Sequence, residues 1–130
     1  MIINFAGKVV VVAGGTGGLG DAVSRAFLEE DAKVVVTYRK EEEFAALKQA
    51  AGAKVAALEG FVVDVTDEAA VTTLVDNVVS QHGRLDAMVN AVGGYVGGQK
   101  LWEMDTKVFE QMLALNLRSG YALSDRKSVV

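Results

Sequence analysis

Short apolar runs and amphipathic segments alternate along the chain. Residues 8–13 and 33–38 are continuous, valine-rich runs of strand length, as expected for strands that are covered on both faces. Residues 54–63 contain a third predicted strand, and residues 85–90 are a fourth. Strands that alternate with helices at this rhythm predict βαβ units and a parallel sheet with right-handed crossovers.

Amphipathic segments predict the helices that connect these strands. The first covers residues 18–31, and the second covers residues 41–51, with acids in its first turn and a stop at Gly52. Thr66 is the predicted cap of a third helix that ends at His82 and Gly83, and a fourth starts near Asp105. The expected buried stripes are Leu19, Ala22, Val23, Ala26 and Phe27 in the first helix, Val71, Leu74, Val75, Val78 and Val79 in the third, and Val108, Met112 and Leu115 in the fourth.

Composition narrows the classes of function. With 130 residues, no linker and no internal repeat, residues 1–130 are expected to form one domain. A formal charge of -4 and a pI near 5.0 do not indicate the basic surface that nucleic-acid binding requires. Without cysteine and with one histidine, neither a disulfide nor a metal site is expected. No apolar run reaches the roughly 20 residues of a membrane span, and the first five residues carry no basic segment, so we expect a cytoplasmic protein with no membrane partner.

A glycine-rich turn joins the first strand to the first helix. Residues 15–20 match the dinucleotide fingerprint G-x-G-x-x-G, and Gly14, Gly18 and Gly20 give a second spacing over the same segment. Each glycine removes a Cβ where backbone must come close to another group, and the helix start offers N–H groups to an anion. The flanking strand and helix favour a nucleotide site; the alternative is a tight turn that only packs the helix on the sheet. No Gly-Lys-Ser/Thr follows, which disfavours an ATPase-type phosphate loop.

Four motifs in order resemble those of the short-chain dehydrogenase/reductase family over about residues 5–123. The first is Ala13-Gly14-x-x-x-Gly18-x-Gly20, similar to the family's glycine signature. The others are Asp64-Val65-Thr66 after the third strand, the segment Asn90-Ala91-Val92-Gly93 closing the fourth, and Asn116 in the last helix. Two departures lie in the scaffold: Ala13 replaces a threonine that ties the turn to the fourth-strand loop, and Ala91-Val92 replaces Asn-Ala.

The resemblance implies an α/β, Rossmann-like three-layer fold with a four-stranded parallel sheet in the order 3-2-1-4, truncated at its C-terminal end. It also implies an NAD(P)-binding domain and an oxidoreductase function. By the same resemblance, Asn116 looks like the family's structural and proton-relay asparagine. The residues expected to bind the cofactor are Gly14, Thr16, Gly17, Gly18, Leu19, Gly20, Arg39, Asp64, Val65, Asn90, Ala91 and Gly93.

The end of the second strand favours NADP(H) over NAD(H). NAD enzymes of this build place an acid there for the ribose hydroxyls, whereas this strand ends in Thr37-Tyr38-Arg39-Lys40. A guanidinium suits a 2′-phosphate. The alternative is that Arg39 and Lys40 form a solvated turn that pairs with the acids of residues 41–43.

The family's catalytic Ser and Tyr-x-x-x-Lys are not found in this chain. Position 125, four residues after Tyr121, is Asp, and Lys127 is six residues away, so Tyr121, Ser124 and Lys127 do not form a triad. Residues 125–130 do not continue the helical spacing of apolar residues that precedes them, which predicts an interrupted chain. We therefore expect the chain to bind cofactor without turnover, its full-length form transferring hydride between NADP(H) and a carbonyl or alcohol. The alternative is a non-catalytic Rossmann-type nucleotide-binding or oligomerisation module.

Further expectations concern packing. An open edge at the fourth strand predicts self-association through that strand or the last helix. His82 is expected to act at a helix C-terminus. Trp102 is expected to pack the glycine-rich loop on the last helix, and Met88, Met104 and Met112 are expected to fill the core.

Overall fold

The computed structural model describes residues 3–125 of the chain. Strands and helices alternate through most of this length, as the apolar pattern predicts. The strands are Val9–Ala13 (β1), Lys33–Tyr38 (β2), Leu58–Val62 (β3) and Ala87–Asn90 (β4). The α-helices are Gly18–Glu29 (α1), Glu41–Ala51 (α2), Glu68–His82 (α3), Thr106–Leu113 (α4) and Ser119–Ser124 (α5); short 3₁₀ turns cover Gly52–Ala57 and Leu101–Glu103, and a π turn, Ala114–Arg118, joins α4 to α5.

The four strands form one parallel sheet in the order β3-β2-β1-β4, which confirms the predicted fold class and strand order. Val11 is in register with Val35 on one side and with Met88 on the other. All four strands are parallel and run in the same direction, so they all end at the same edge of the sheet. The loops that follow the strands therefore meet there.

Helices cover both faces of the sheet. On one face, alternate residues of β1 and β2 pack against Leu28 of α1 and Phe44 and Leu47 of α2. On the other face, the intervening residues of the same strands pack against α3, and α5 continues that layer. All five residues of β1 are buried, which explains why its sequence is an unbroken apolar run rather than an alternating one.

The buried face of α1 differs from the predicted stripe. Gly20, Ser24 and Leu28 are the buried residues of this helix, whereas Leu19 is 70% exposed. Of the predicted stripe, Val23 and Phe27 are partly buried, and Ala22 and Ala26 are exposed. This face is the buried one for two reasons. Glycine at position 20 allows α1 to approach the Gly14 carbonyl oxygen closely, and the Ser24 hydroxyl donates a hydrogen bond to the Gly15 carbonyl oxygen at 3.0 Å.

The cap of α3 also differs from the prediction. Asp67, not Thr66, caps this helix: its carboxylate accepts hydrogen bonds from the backbone N–H groups of Ala69 and Ala70. The Thr66 hydroxyl instead donates a hydrogen bond to the Asp64 carboxylate at 2.6 Å. The predicted end is confirmed, since Gly83 follows the helix with a φ of 73°. Of the predicted stripe, only Val79 is exposed, at 41%.

The predictions for Trp102, His82 and the three methionines have different outcomes. Trp102 does not pack on the last helix: its side chain is 80% exposed, and the Lys100 ammonium lies 5.5 Å from its ring centroid. His82 lies in the last turn of α3, and its Nε2 is 3.3 Å from the Glu59 carboxylate of β3. The three methionines of the predicted core, Met88, Met104 and Met112, are partly buried.

Candidate functional site

A cleft of about 290 Å³ opens at the edge of the sheet where the strands end. Its wall combines the glycine turn after β1 with the loops that follow β2, β3 and β4. The residues that line it are Gly14, Thr16, Gly17, Thr37, Tyr38, Arg39, Lys40, Glu43, Val63, Asp64, Val65, Thr66, Ala91, Val92, Gly93 and Leu115. In open parallel sheets this is the position at which ligands bind.

Three glycines of the turn are required by the fold itself. Gly14 has a φ of +69°, and a Cβ there would lie 3.0 Å from the Val92 side chain. A Cβ on Gly15 would lie 2.4 Å from Val36, and one on Gly20 would lie 1.9 Å from the Gly14 carbonyl oxygen. These positions let β1, β2 and α1 approach one another closely, so scaffold packing alone explains them.

Gly17 and Gly18 have no such internal explanation. A Cβ on Gly17 would be in ordinary contact, 3.6 Å from the Gly14 carbonyl oxygen, and a Cβ on Gly18 would meet nothing within 4 Å. Neither residue has a positive φ in this structure. Both stand at the start of α1, where Gly17 provides no side-chain cap for the first N–H groups. Bare backbone and free N–H donors at a helix start suit a phosphate group.

The turn is held to β2 by Thr37, which was not among the predicted site residues. The Thr37 hydroxyl accepts a hydrogen bond from the Gly14 N–H at 2.9 Å, and the Gly15 N–H donates to the Thr37 carbonyl oxygen at 3.1 Å. Thr37 is only 2% exposed. A polar residue at the end of a buried valine strand was the available signal, because a buried hydroxyl needs a hydrogen-bond partner. On the β4 side, where Ala13 has no hydroxyl, its carbonyl oxygen accepts from the Ala91 N–H at 2.9 Å.

Charged side chains line the cleft at the end of β2. Arg39 and Lys40 are both exposed there. The Lys40 ammonium lies 3.4 Å from the Glu43 carboxylate, and the Thr16 hydroxyl donates to the same carboxylate at 3.1 Å. Of the two cations, Lys40 therefore fits the alternative of a turn that pairs with the following acids, while Arg39 is an exposed lining residue of the cleft.

Asp64 lies where the loop after β3 enters the cleft. Hydrogen bonds from the Thr66 hydroxyl and then from the Thr66 backbone N–H hold the pKa of Asp64 below its usual value, and the charge of Arg39 adds a smaller effect in the same direction. Asp64 therefore remains an anion and a hydrogen-bond acceptor at neutral pH. Val65, beside it, is 4% exposed and belongs to the core behind the cleft.

The loop after β4 is positioned by two asparagines. The side-chain amide oxygen of Asn90 accepts a hydrogen bond from the Val92 N–H at 3.0 Å, and its amide nitrogen donates to the Ser119 hydroxyl at 3.4 Å. The Asn116 amide donates to the Gly94 and Met112 carbonyl oxygens, each at 2.9 Å, and its own oxygen accepts from the Gly94 N–H at 3.1 Å. Asn116 lies in the π turn, a local widening of the helix that is frequent at functional sites.

The structure thus brings most of the predicted site residues to one cleft. Gly14, Thr16, Gly17, Arg39, Asp64, Val65, Ala91 and Gly93 line it, whereas Gly18, Leu19, Gly20, Asn90 and Asn116 surround it without lining it. Tyr121 is 63% exposed on α5 and lies outside the cleft lining. Lys127, which the sequence places six residues after Tyr121, is outside the described residues. No helix within residues 3–125 is long and apolar enough to cross a membrane.

Comparisons with known proteins agree with this geometry. A family model described as short chain dehydrogenase matches residues 8–126. The chain is 38% identical over 121 residues to an L-fucose dehydrogenase of Bos taurus, covering 93% of this chain and 43% of that protein. It is 34% identical over 114 residues to a 3beta-hydroxysteroid dehydrogenase of Eggerthella lenta, covering 88% of this chain and 44% of that protein. The chain therefore spans less than half the length of these relatives.

Solved structures give the same result. A metagenomic short-chain oxidoreductase in complex with NADP superposes with a TM-score of 0.84 at 30% identity, over 92% of this chain and 54% of that one. A short-chain dehydrogenase/reductase from Serratia marcescens superposes with a TM-score of 0.87 at 30% identity, over 97% of this chain and 51% of that one.

Proposed function

The chain belongs to the short-chain dehydrogenase family, and we propose that its cleft binds a nicotinamide dinucleotide as the cofactor-binding part of an oxidoreductase. In this proposal the pyrophosphate lies on the start of α1, and the adenosine lies between the ends of β2 and β3. The predicted residues Gly14, Thr16, Gly17, Gly18, Leu19 and Gly20 form the phosphate side, and Asp64 and Val65 lie on the adenine side.

One observation carries the proposal: Gly17 and Gly18 are glycines although the folded chain leaves room for a side chain at both positions. A turn that only packed a helix on a sheet would need glycine at positions 14, 15 and 20, which the structure explains, and not at 17 and 18. A ligand whose phosphates approach the backbone accounts for both.

NADP(H) is the cofactor we favour over NAD(H). The exposed Arg39 guanidinium is available to a 2′-phosphate, and the last residues of β2 and the first of the following turn include no acid. A similar oxidoreductase of known structure has NADP bound. Asn90, Ala91 and Gly93 would then lie toward the nicotinamide half, beyond the glycine turn.

The hydride transfer itself we assign to a longer form of the protein. In the family, hydride transfer between NADP(H) and a carbonyl or alcohol uses a Ser and a Tyr-x-x-x-Lys pattern that this chain does not contain. We propose that the 130-residue chain binds cofactor without turnover. Asn116 would contribute the structural and proton-relay position of the family to the longer form. The predicted cytoplasmic location stays a prediction.

Calorimetric titration of the chain with NADPH and NADH tests this function. We expect saturable binding with one site per chain, tighter for NADPH. The Gly18→Ala variant is expected to remain folded and to bind about tenfold more weakly, because its methyl group occupies the space of the phosphates, a cost comparable with overpacking a core. Unchanged binding by Gly18→Ala, or no binding by the original chain, would contradict the proposal.

The second candidate is a non-catalytic module that self-associates. Within residues 3–125, β4 pairs only with β1, so its other edge is free. In addition, Phe109, Leu113, Leu117 and Tyr121 recur every four residues along the last helical segment and are 50%, 44%, 67% and 63% exposed. We propose that a second copy of the chain covers β4 or this helical face.

A further inference from the structure

Glu43 is the one acid in the run Glu41, Glu42 and Glu43 that lines the cleft. Glu41 turns instead toward β2, where its carboxylate accepts the Tyr38 hydroxyl at 2.7 Å, and Glu42 is exposed. The difference follows from helix geometry, because successive residues in the first turn of α2 point about 100° apart. Only the third acid of the run faces the glycine turn.

The Glu43 carboxylate contacts both sides of the cleft. It accepts the Thr16 hydroxyl at 3.1 Å from the glycine turn and lies 3.4 Å from the Lys40 ammonium at the end of β2. Its side chain is 39% exposed, so solvent screens it only in part. A negative charge is thus placed between Thr16 of the glycine turn and Lys40, in the cleft that Arg39 also lines. In the proposed complex the adenosine ribose would lie there.

We propose that Glu43 is a specificity-determining residue that opposes the NADP(H) preference set by Arg39. This inference rests on the proposed dinucleotide site. The carboxylate repels a 2′-phosphate, and its pairing with Lys40 reduces the positive charge available to that phosphate. The same carboxylate suits the ribose hydroxyls of NAD(H), which acids at the end of the second strand accept in NAD enzymes of this build. Glu43 thereby supplies from α2 the acid that β2 lacks.

The consequence is a chain that accepts both dinucleotides. Arg39 favours the phosphorylated ribose, Glu43 favours the free one, and the balance between them sets the ratio of affinities. Removing either charge is expected to shift that ratio in a known direction. Neither removal is expected to abolish binding, because the pyrophosphate site at the start of α1 is unchanged.

The test is calorimetric titration of four proteins with NADPH and NADH: the original chain, Glu43→Gln, Arg39→Ala and the control Glu42→Gln. Glutamine keeps an acceptor for the Thr16 hydroxyl and removes only the charge. The control changes the net charge equally on the same helical turn but outside the cleft. We expect Glu43→Gln to raise the preference for NADPH about tenfold at low salt, and less at high salt. Glu42→Gln should leave the ratio unchanged, and Arg39→Ala should lower it.

The outcomes separate the two proposals. If both dinucleotides bind and Glu43→Gln leaves the ratio of affinities unchanged, the role of Glu43 is overturned and the dinucleotide site stands. An equal shift in Glu42→Gln would also overturn it, since the effect would then belong to net charge. A shift in Glu43→Gln that salt does not reduce would point to altered packing and would likewise overturn it. If neither dinucleotide binds the original chain, both proposals fail.

Discussion

Gly18 and Gly20 are two residues apart in the same turn, yet their surroundings are opposite. A methyl group on Gly20 would lie 1.9 Å from the Gly14 carbonyl oxygen, whereas one on Gly18 would meet nothing within 4 Å. The sequence shows two equivalent letters of a glycine motif. The structure assigns Gly20 to the packing of α1 on β1, whereas no contact within the folded chain requires glycine at position 18.

This difference predicts opposite effects of alanine. Gly20→Ala should lower the free energy of unfolding by about 1–3 kcal/mol or more, because rigid backbone must move to admit the methyl group. Gly18→Ala should leave it within about 1 kcal/mol, since alanine is tolerated in a helical conformation. Urea denaturation of both variants measures these values. Equal losses of stability in the two variants would contradict the assignment.

A second residue-scale prediction concerns Asp86, which joins the start of β1 to the segment before β4. Its carboxylate accepts from the Arg84 guanidinium and, at 2.8 Å, from the Val9 N–H. These contacts, with Arg84 the larger cause, lower the pKa of Asp86 to about 2. The pKa of an aspartate in the unfolded chain is about 3.9. The folded state is therefore stabilised above that value and loses this contribution as the pH falls toward 2.

The Asp86→Asn variant should accordingly be less stable than the original chain at pH 7, with the difference shrinking between about pH 5 and pH 2. Denaturant unfolding at a series of pH values measures this difference. The control Asp76→Asn removes an exposed carboxylate of α3 and should not reproduce the pH dependence. A difference for Asp86→Asn that is independent of pH would show that its charge is not the cause.

At the scale of elements, Asn116 connects the helical segment α4–α5 to the loop after β4. Its side-chain amide hydrogen-bonds to both the N–H and the carbonyl oxygen of Gly94, 22 residues earlier in the chain. The Asn116→Ala variant loses these bonds, so we expect a destabilisation of about 1–3 kcal/mol. Amide hydrogen exchange should become faster in residues 91–98, while β1 and β2 keep their protection.

Hydrogen exchange followed by mass spectrometry measures that effect. Asn77→Ala, on the exposed face of α3, provides the control and should not change exchange in this loop. Equal protection of the loop in the original chain and in Asn116→Ala would mean that other contacts position it.

Element boundaries were less predictable than element types. The strand β4 begins at Ala87 and is therefore shorter than the predicted strand 85–90. The strand β3 lies within the predicted range 54–63, whose first residues belong to the 3₁₀ turn Gly52–Ala57. The cap of α3 is Asp67, one residue after the prediction, because Thr66 bonds to Asp64. Such shifts arise where neighbouring polar residues compete for the same backbone groups, and spacing alone does not decide that competition.

For the whole molecule, the exposed helical face predicts concentration-dependent association. If a second copy covers it, Leu117→Lys should shift the chain toward the monomer, because a charge buried at an apolar contact is costly. Sedimentation velocity over a range of concentrations measures this. Leu101→Lys, at a residue that is 78% exposed but outside the helical face, is the control. A chain that sediments as a monomer at all concentrations would contradict self-association.

The sequence by itself determined the alternation of strands and helices, the glycine turn and the family, which the comparisons confirm. These features are local: valine runs mark strands buried on both faces, and the motif residues are neighbours in the chain. Only the tertiary structure decided which face of α1 is buried, that Thr37 holds Gly14, and that Glu43 meets Thr16. Those contacts join residues 23 and 27 positions apart. They depend on the register of β1 against β2 and on the close approach that Gly15 and Gly20 permit, which no local pattern specifies.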